Sequence, residues 1–204
     1  YKGHPRDVSG RCDNMSGSYL GPAFSDTEIA ERLLALGANI ARLDDEQVIT
    51  ETVCALINGK AVGWFQGRME FGPRALGGRS ILGDPRSSSM QKTLNLKVKY
   101  RESFRPFAPS ILREDVSEWF ELDSDSPYML FVADVTKARQ RTMTKEEQGL
   151  FGIEKLNVSR SEIPAVTHVD YSARIQTVHK ETNSKSLIGA SILGVNKICL
   201  TSTS

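Results

Sequence analysis

The sequence is short of the features that mark whole classes of protein. It has three cysteines, Cys12, Cys54 and Cys199, far apart and odd in number. That excludes a disulfide framework, shows no metal-ligand spacing, and points to a reducing compartment. Three histidines, at 4, 168 and 179, also lack metal spacing. No apolar run approaches the ~18 residues that span a bilayer. The first ten residues are polar, with no apolar segment behind them, so they do not read as a signal peptide. Aromatic residues are only 7% of the chain, and its formal net charge is +1. Both argue against a general polyanion binder. The chain begins at Tyr1, which reads as a fragment or an excised domain.

What is present is an ordinary globular composition. The 204 residues are 39% hydrophobic and 25% charged, enough for one domain with a sizeable core. The charge is uneven. Gly67 to Arg113 holds seven Arg and three Lys against Glu70, Asp84 and Glu102, a local +7 in a chain that totals +1. Arginine suits planar, bidentate recognition of phosphate and carboxylate, so the stretch reads as one anion site. The plainer reading is a solvated basic face.

The pattern along the chain mixes helices and strands. Residues 1–24, rich in Gly, Pro and Ser, read as a linker or the remnant of a preceding domain. Ser25 and Glu28 form a capping box ahead of Ile29, Leu33, Leu34 and Leu36, and Gly37 ends that helix. Asn39 to Leu43 is a short strand candidate. Asp44 to Gln47 opens a second helix, with Val48, Val53, Leu56 and Ile57 on its apolar face. Ala61 to Gln66 reads as a buried strand. Ser87 to Lys97 reads as a helix with Met90, Leu94 and Leu96 inward. Phe104 to Leu112 carries two prolines and is expected to be loop or edge strand. Val116 to Phe120 is a short helix. Tyr128 to Val135 is the clearest central strand, apolar on both faces. Lys137 to Gln148 reads as an exposed loop or lid. Val166 to Val169 and Ile175 to Val178 are two short strands. The fold class is α/β, or α+β.

Two segments carry candidate chemistry. Gly67 to Ser80 (GRMEFGPRALGGRS) follows a strand but lacks the Gly-Lys-Ser/Thr ending of a P-loop. Its glycines allow close backbone approach to a ligand, and Arg68, Arg74 and Arg79 could converge on an oxyanion. Val98 to Ser110 adds Lys99, Arg101 and Arg105. Two prolines fix the backbone around Arg105, and Glu102 could hold one arginine by an ion pair. No nucleophile–base arrangement is visible.

The strings GWFQGRMEFGPRALGGRSILGDPR, VKYRESFRPFAPSIL and HVDYSARIQTV resemble the C-terminal domain of the O-carbamoyltransferases. That family carbamoylates nodulation factors and several antibiotics. The resemblance runs from about Gly21 to Asn183. It implies a YrdC/Sua5-like fold, a twisted open mixed sheet with flanking helices, over 25–183. It implies formation of carbamoyl-adenylate from carbamoyl phosphate and ATP. Arg74, Lys99, Arg105 and Arg174 would line the site, with Lys99 and Arg105 catalytic and Ser110 a further phosphate contact. ATP and Mg2+ are the implied cofactors, and iron belongs only to an N-terminal transferase domain not contained in this chain. That domain, carbamoyl phosphate and ATP are the expected partners, with no membrane or nucleic acid, in the cytoplasm. The alternative is an inactive remnant that binds nucleotide or carbamoyl phosphate without turnover. An RNA-binding domain is a third reading, disfavoured by the low aromatic content and small net charge. The tail 184–204 lacks the family's Asn-Thr-Ser-Phe-Asn…Gly-Glu-Pro motif, so the final strand is expected to be missing or replaced.

Overall fold

The computed structural model describes Gly3, Asp13, residues 15–179 and the backbone of 198–201. His4, Cys12 and the tail at 184–197 and 202–204 lie outside the described residues. The architecture is a six-stranded open mixed sheet with helices against it, in the order β1-β2-β6-β3-β5-β4. The strands are β1 (Val62–Phe65), β2 (Arg79–Gly83), β3 (Ala108–Leu112), β4 (Phe131–Asp134), β5 (Ser172–Val178) and β6 (Ile198–Thr201). Only β3 and β5 are parallel, aligned with Ser110 opposite Gln176; every other neighbouring pair is antiparallel.

The helices follow local sequence logic. Helix α1 (Asp26–Ala35) is capped by Ser25, which accepts from the Glu28 amide. Glu28 does not reach back to close the expected box; its carboxylate pairs with Arg32 one turn on, at 2.7 Å. Helix α2 (Asp45–Ile57) has the reciprocal box, formed by Asp44 and Gln47. Its Leu56 packs with Trp64 and Leu82. Helix α3 (Met90–Lys97) lies directly on β2: a Cβ at Gly83 would stand 2.9 Å from Met90 Cγ and 3.2 Å from Leu94 Cδ1. Met90 and Leu94 are buried as expected, but Leu96 is exposed and Asn95 takes the third inward place. The short helices α4 (Val116–Trp119), α5 (Lys145–Gly149) and α6 (Gly152–Leu156) complete the set.

The main core is a cluster of Met90, Leu94, Phe107, Ile111, Val116, Trp119, Phe120, Ile163, Val166, Ala173 and Ile175 with their neighbours. Strand alternation explains it: Ile111 of β3 and Ala173 and Ile175 of β5 point to the helix-covered face. Ser110, Arg174 and Gln176 therefore point to the opposite face.

Several expectations change. Phe104 to Leu112 is not an edge. Ala108–Leu112 is interior strand β3, buried along its whole length. Pro109 is tolerated because pairing to β5 starts one residue later, at Ser110, so its missing N–H breaks no bond on that side. The central strand expected over Tyr128 to Val135 shrinks to β4 at the sheet edge, with Phe131 and Val132 about half exposed. An apolar run marks a central strand only if both its faces are covered, and here they are not. Ala61 to Gln66 gives the edge strand β1, in which only Trp64 is buried. Asn39 to Leu43 and Val166 to Val169 form no strand. Within Lys137 to Gln148 lie a 3-10 turn and the start of α5. The last strand is not missing: β6 fills the gap between β2 and β3.

Two measurements check this picture. Ile111 is fully buried, so Ile111→Ala should cost about 2–5 kcal/mol in urea unfolding. Leu34→Ala on exposed α1 should change stability by no more than about 0.5 kcal/mol. Ending the chain after residue 197 removes β6 and uncovers one side of both β2 and β3. Light scattering should then report aggregation through the unpaired strands.

Candidate functional site

The Gly-rich segment between β1 and β2 is organised by one carboxylate. Glu70 is only 5% exposed. Its Oε1 accepts from the amides of Leu76 at 2.8 Å, Gly78 at 2.5 Å and Arg79 at 3.2 Å. Charged hydrogen bonds of this kind are about twice as strong as neutral ones. Gly78 is required for the fit, since a Cβ there would stand 2.7 Å from the Arg68 carbonyl oxygen and 3.2 Å from Glu70 Oε1. The Leu76 carbonyl accepts from Tyr19 Oη at 2.7 Å and from Gln176 Nε2 at 2.8 Å. Residues 18–22 also bond the loop backbone at Met69 and Phe71. The loop that carries Arg74 is thus held from three directions.

Of the three arginines expected to converge there, one is taken up within the loop itself. Arg79 donates to the carbonyls of Gln66, Gly67 and Gly78 and lies 3.4 Å from the Phe65 ring centroid. Arg68 is exposed. Arg74 is half-buried, and its buried Nε–H has no acceptor. Across the sheet face stands Arg174 of β5, close enough that the Arg74 charge, after burial itself, depresses its pKa. Neither arginine forms an ion pair among the described residues. Two like charges beside a buried orphan donor are unfavourable unless an anion joins them. The pair is a candidate oxyanion site.

A second cationic set lies on the loop between α3 and β3. Burial and then the Arg101 charge push the Lys99 ammonium below its usual pKa. Arg101 donates to Asn95 Oδ1 at 2.6 Å and lies over the Phe107 ring. Arg105 is exposed and 3.5 Å from Glu102, the ion pair expected from sequence. Asn95 is fully buried, and its amide donates to the carbonyls of Ser103 and Arg105. Gln91 donates to those of Phe104 and Arg105. Because β3 and β5 run parallel, this loop and Arg174 meet the sheet at the same end.

Ser110 is placed differently from its expected role. It is buried, and its hydroxyl donates to Gln176 Oε1 at 2.6 Å. Through Gln176 it supports the Leu76 carbonyl rather than facing outward. The +7 stretch is also partly internal: Arg86 is bidentate on Asp84, and Arg113 pairs with Asp125. Charge counting alone cannot separate such structural arginines from ligand-facing ones. Glu70, Asn95 and Gln176 escaped the sequence reading, since nothing local marks a residue whose partners lie on other strands.

Among the described residues, no group of three His, Cys, Asp or Glu could hold a metal ion. No described helix is long and apolar enough to cross a membrane.

Glu70→Ala would leave three amides without their acceptor. At about 1–3 kcal/mol for each unsatisfied group, it should lower the melting temperature strongly, while Glu70→Gln, which keeps one acceptor oxygen, should lower it less. His168 supplies a pH test. Burial, opposed by the Asp170 charge and aided by that of Arg174, holds its pKa below the usual 6.5. The neutral ring contributes stability that is complete above about 6.5 and lost as pH falls through its lower folded value. Thermal melts of the wild type should therefore decline below that pH more steeply than those of His168→Gln.

Residues 53–199 match the family model described as carbamoyltransferase C-terminus. The uncharacterized protein sll1178 of Synechocystis sp. is 59% identical over 85% of this chain, which spans 28% of that relative. Nodulation protein NolNO of Sinorhizobium fredii is 41% identical over 81% of the chain and 22% of the relative. The 3'-hydroxymethylcephem-O-carbamoyltransferase of Streptomyces clavuligerus is 42% identical over 63% of the chain and 20% of the relative. The chain thus spans between about a fifth and 28% of the length of these relatives. With its matched segment running from α2 to β6, the chain belongs to the carbamoyltransferase C-terminus family.

Proposed function

We propose that this domain forms carbamoyl-adenylate from carbamoyl phosphate and ATP, for transfer to a hydroxyl by an N-terminal domain of a longer polypeptide in the cytoplasm. The observation that carries this reading is the Arg74–Arg174 pair, with its buried unpaired Nε–H and no neutralising carboxylate. Membership of a carbamoyltransferase family supports the carbamoyl part.

Water would first cleave the bond between phosphorus and the carbamoyl oxygen of carbamoyl phosphate, giving carbamate and inorganic phosphate; carbamate and ATP then give carbamoyl-adenylate and pyrophosphate. The new bond joins a carbamate oxygen to the α-phosphorus. The bond from that phosphorus to the oxygen bridging the β-phosphate breaks, and pyrophosphate leaves with the electron pair. In such transfers a protein contributes mainly position and charge. Arg74 and Arg174 would hold phosphate oxygens between two fixed guanidinium groups. Lys99 and Arg105, at the same end of the sheet, would neutralise charge on the leaving group. Arg cannot act as a base, because it stays protonated. Ser110 would act at one remove, by fixing Gln176. Mg2+ is commonly held largely by substrate phosphates rather than by a protein cage, and would enter with ATP. Iron would belong to the N-terminal domain.

Pyrophosphate release from ATP plus carbamoyl phosphate tests the reading. Removing one charged hydrogen bond costs about 1.5–3 kcal/mol, so Arg174→Ala should weaken carbamoyl phosphate binding in calorimetry by roughly 10- to 150-fold. Wild-type protein that binds both ligands yet releases no pyrophosphate would favour the inactive remnant.

A further inference from the structure

Residues 15–22 lie along the loop that carries Arg74, upstream of the segment 53–199 that the family model matches. Three backbone hydrogen bonds join the two: the Gly21 amide donates to the Met69 carbonyl, Met69 to that of Pro22, and Phe71 to that of Ser18. The approach is close. A Cβ at Gly21 would stand 2.8 Å from the Met69 carbonyl oxygen, and Ser18 is only 4% exposed. The segment reaches Leu76, just beyond Arg74, by two routes. Tyr19 Oη donates to the Leu76 carbonyl. Asp13 accepts from Tyr128 Oη, and Tyr128 packs against the cluster of Leu76, Ala108 and Met129.

The backbone here is strained. Ser16, Gly17 and Ser18 have φ of 49°, 67° and 64°. Left-handed backbone is ordinary for glycine but unfavourable at serine. Such strain persists where the surroundings over-determine it. The Asp13 carboxylate does this, since it also accepts from the amides of Met15 at 3.1 Å and Gly17 at 2.8 Å. Burial, then the bond to Asp13, raises the Tyr128 pKa above its usual value, so the phenol stays a donor. A passive connection needs neither the strained turn nor the anchor. The Leu76 carbonyl also accepts from Gln176, so it stays satisfied without Tyr19. The Tyr19 bond therefore adds position rather than rescuing a buried polar group.

We propose that residues 15–22 are a positioning strap for the anion site: Asp13 anchors the strap on Tyr128, and Tyr19 holds Leu76 so that Arg74 stays opposite Arg174. Asp13 and Tyr19 are positioning residues that act through the loop. The proposal rests on the reading of the arginine pair as the site for a phosphate group.

The test uses the full 204-residue chain. Calorimetry measures carbamoyl phosphate affinity, with thermal melts reporting folding. Tyr19→Phe keeps the ring and removes one hydrogen bond, so it should weaken carbamoyl phosphate roughly two- to tenfold. Asp13→Ala should weaken it by a similar factor. Asp13→Asn, which keeps an acceptor for Tyr128, should lose less. Tyr19→Phe combined with Asp13→Ala should lose little more than the weaker-binding single variant, because both act on one strap. Leu56→Val, in the separate cluster with Trp64 and Leu82, should lower the melting temperature yet leave affinity within about twofold. If wild type binds carbamoyl phosphate and the folded Tyr19→Phe and Asp13→Ala variants bind it as tightly, the strap is overturned and the anion-site reading stands. An equal loss of affinity in Leu56→Val would also overturn it, since lower stability alone would then account for the effect. If wild type binds none at millimolar concentration, the anion-site reading fails and the strap's role falls with it.

Discussion

The buried carboxylate of Glu70 is the interaction on which the candidate site depends. The loop from Gly67 to Gly78 forms no helix or strand, and its buried backbone amides must find acceptors away from water. One oxygen supplies three of them. The carboxylate is itself stabilised by those donors, so loop and charge are held in place together. With Leu76 bound from the far side by Tyr19 and Gln176, Arg74 is fixed opposite Arg174.

The sheet supplies the other constraint. Parallel pairing of β3 and β5 sends the loop bearing Lys99, Arg101 and Arg105 and the segment bearing His168 to one end. Alternation along β5 then divides the labour between faces: Ala173 and Ile175 complete the core, while Arg174 and Gln176 turn to the loop. A change of one residue in register would exchange these sets. β6, inserted between β2 and β3, joins the strand that follows the Arg74 loop to the strand that follows the cationic loop.

Much was legible because it is local. Caps at Ser25 and Asp44, the periodicity of α2 and α3, and the Glu102–Arg105 pair all depend on residues within a few positions. The motifs around Arg74, Arg105 and Arg174 were sufficient to place the chain in its family. Errors fell where a strand's neighbours decide its character. Pro109 sits inside the sheet because one neighbour starts a residue later, and Phe131 and Val132 lie at an edge despite their apolar run.

The sequence by itself determined the boundaries of α1 and α2, the concentration of arginine between Gly67 and Arg113, and the absence of cysteine and histidine spacing for a local metal site, since each depends on composition or on contacts a few residues apart. Tertiary structure decided which guanidinium groups are satisfied within the fold. Arg79, Arg86 and Arg113 are satisfied by carbonyls or carboxylates, and Ser110 is turned to Gln176, while Arg74 and Arg160 keep buried donors without acceptors. Whether a guanidinium is satisfied depends on groups brought in by other strands, and no spacing along the chain encodes it.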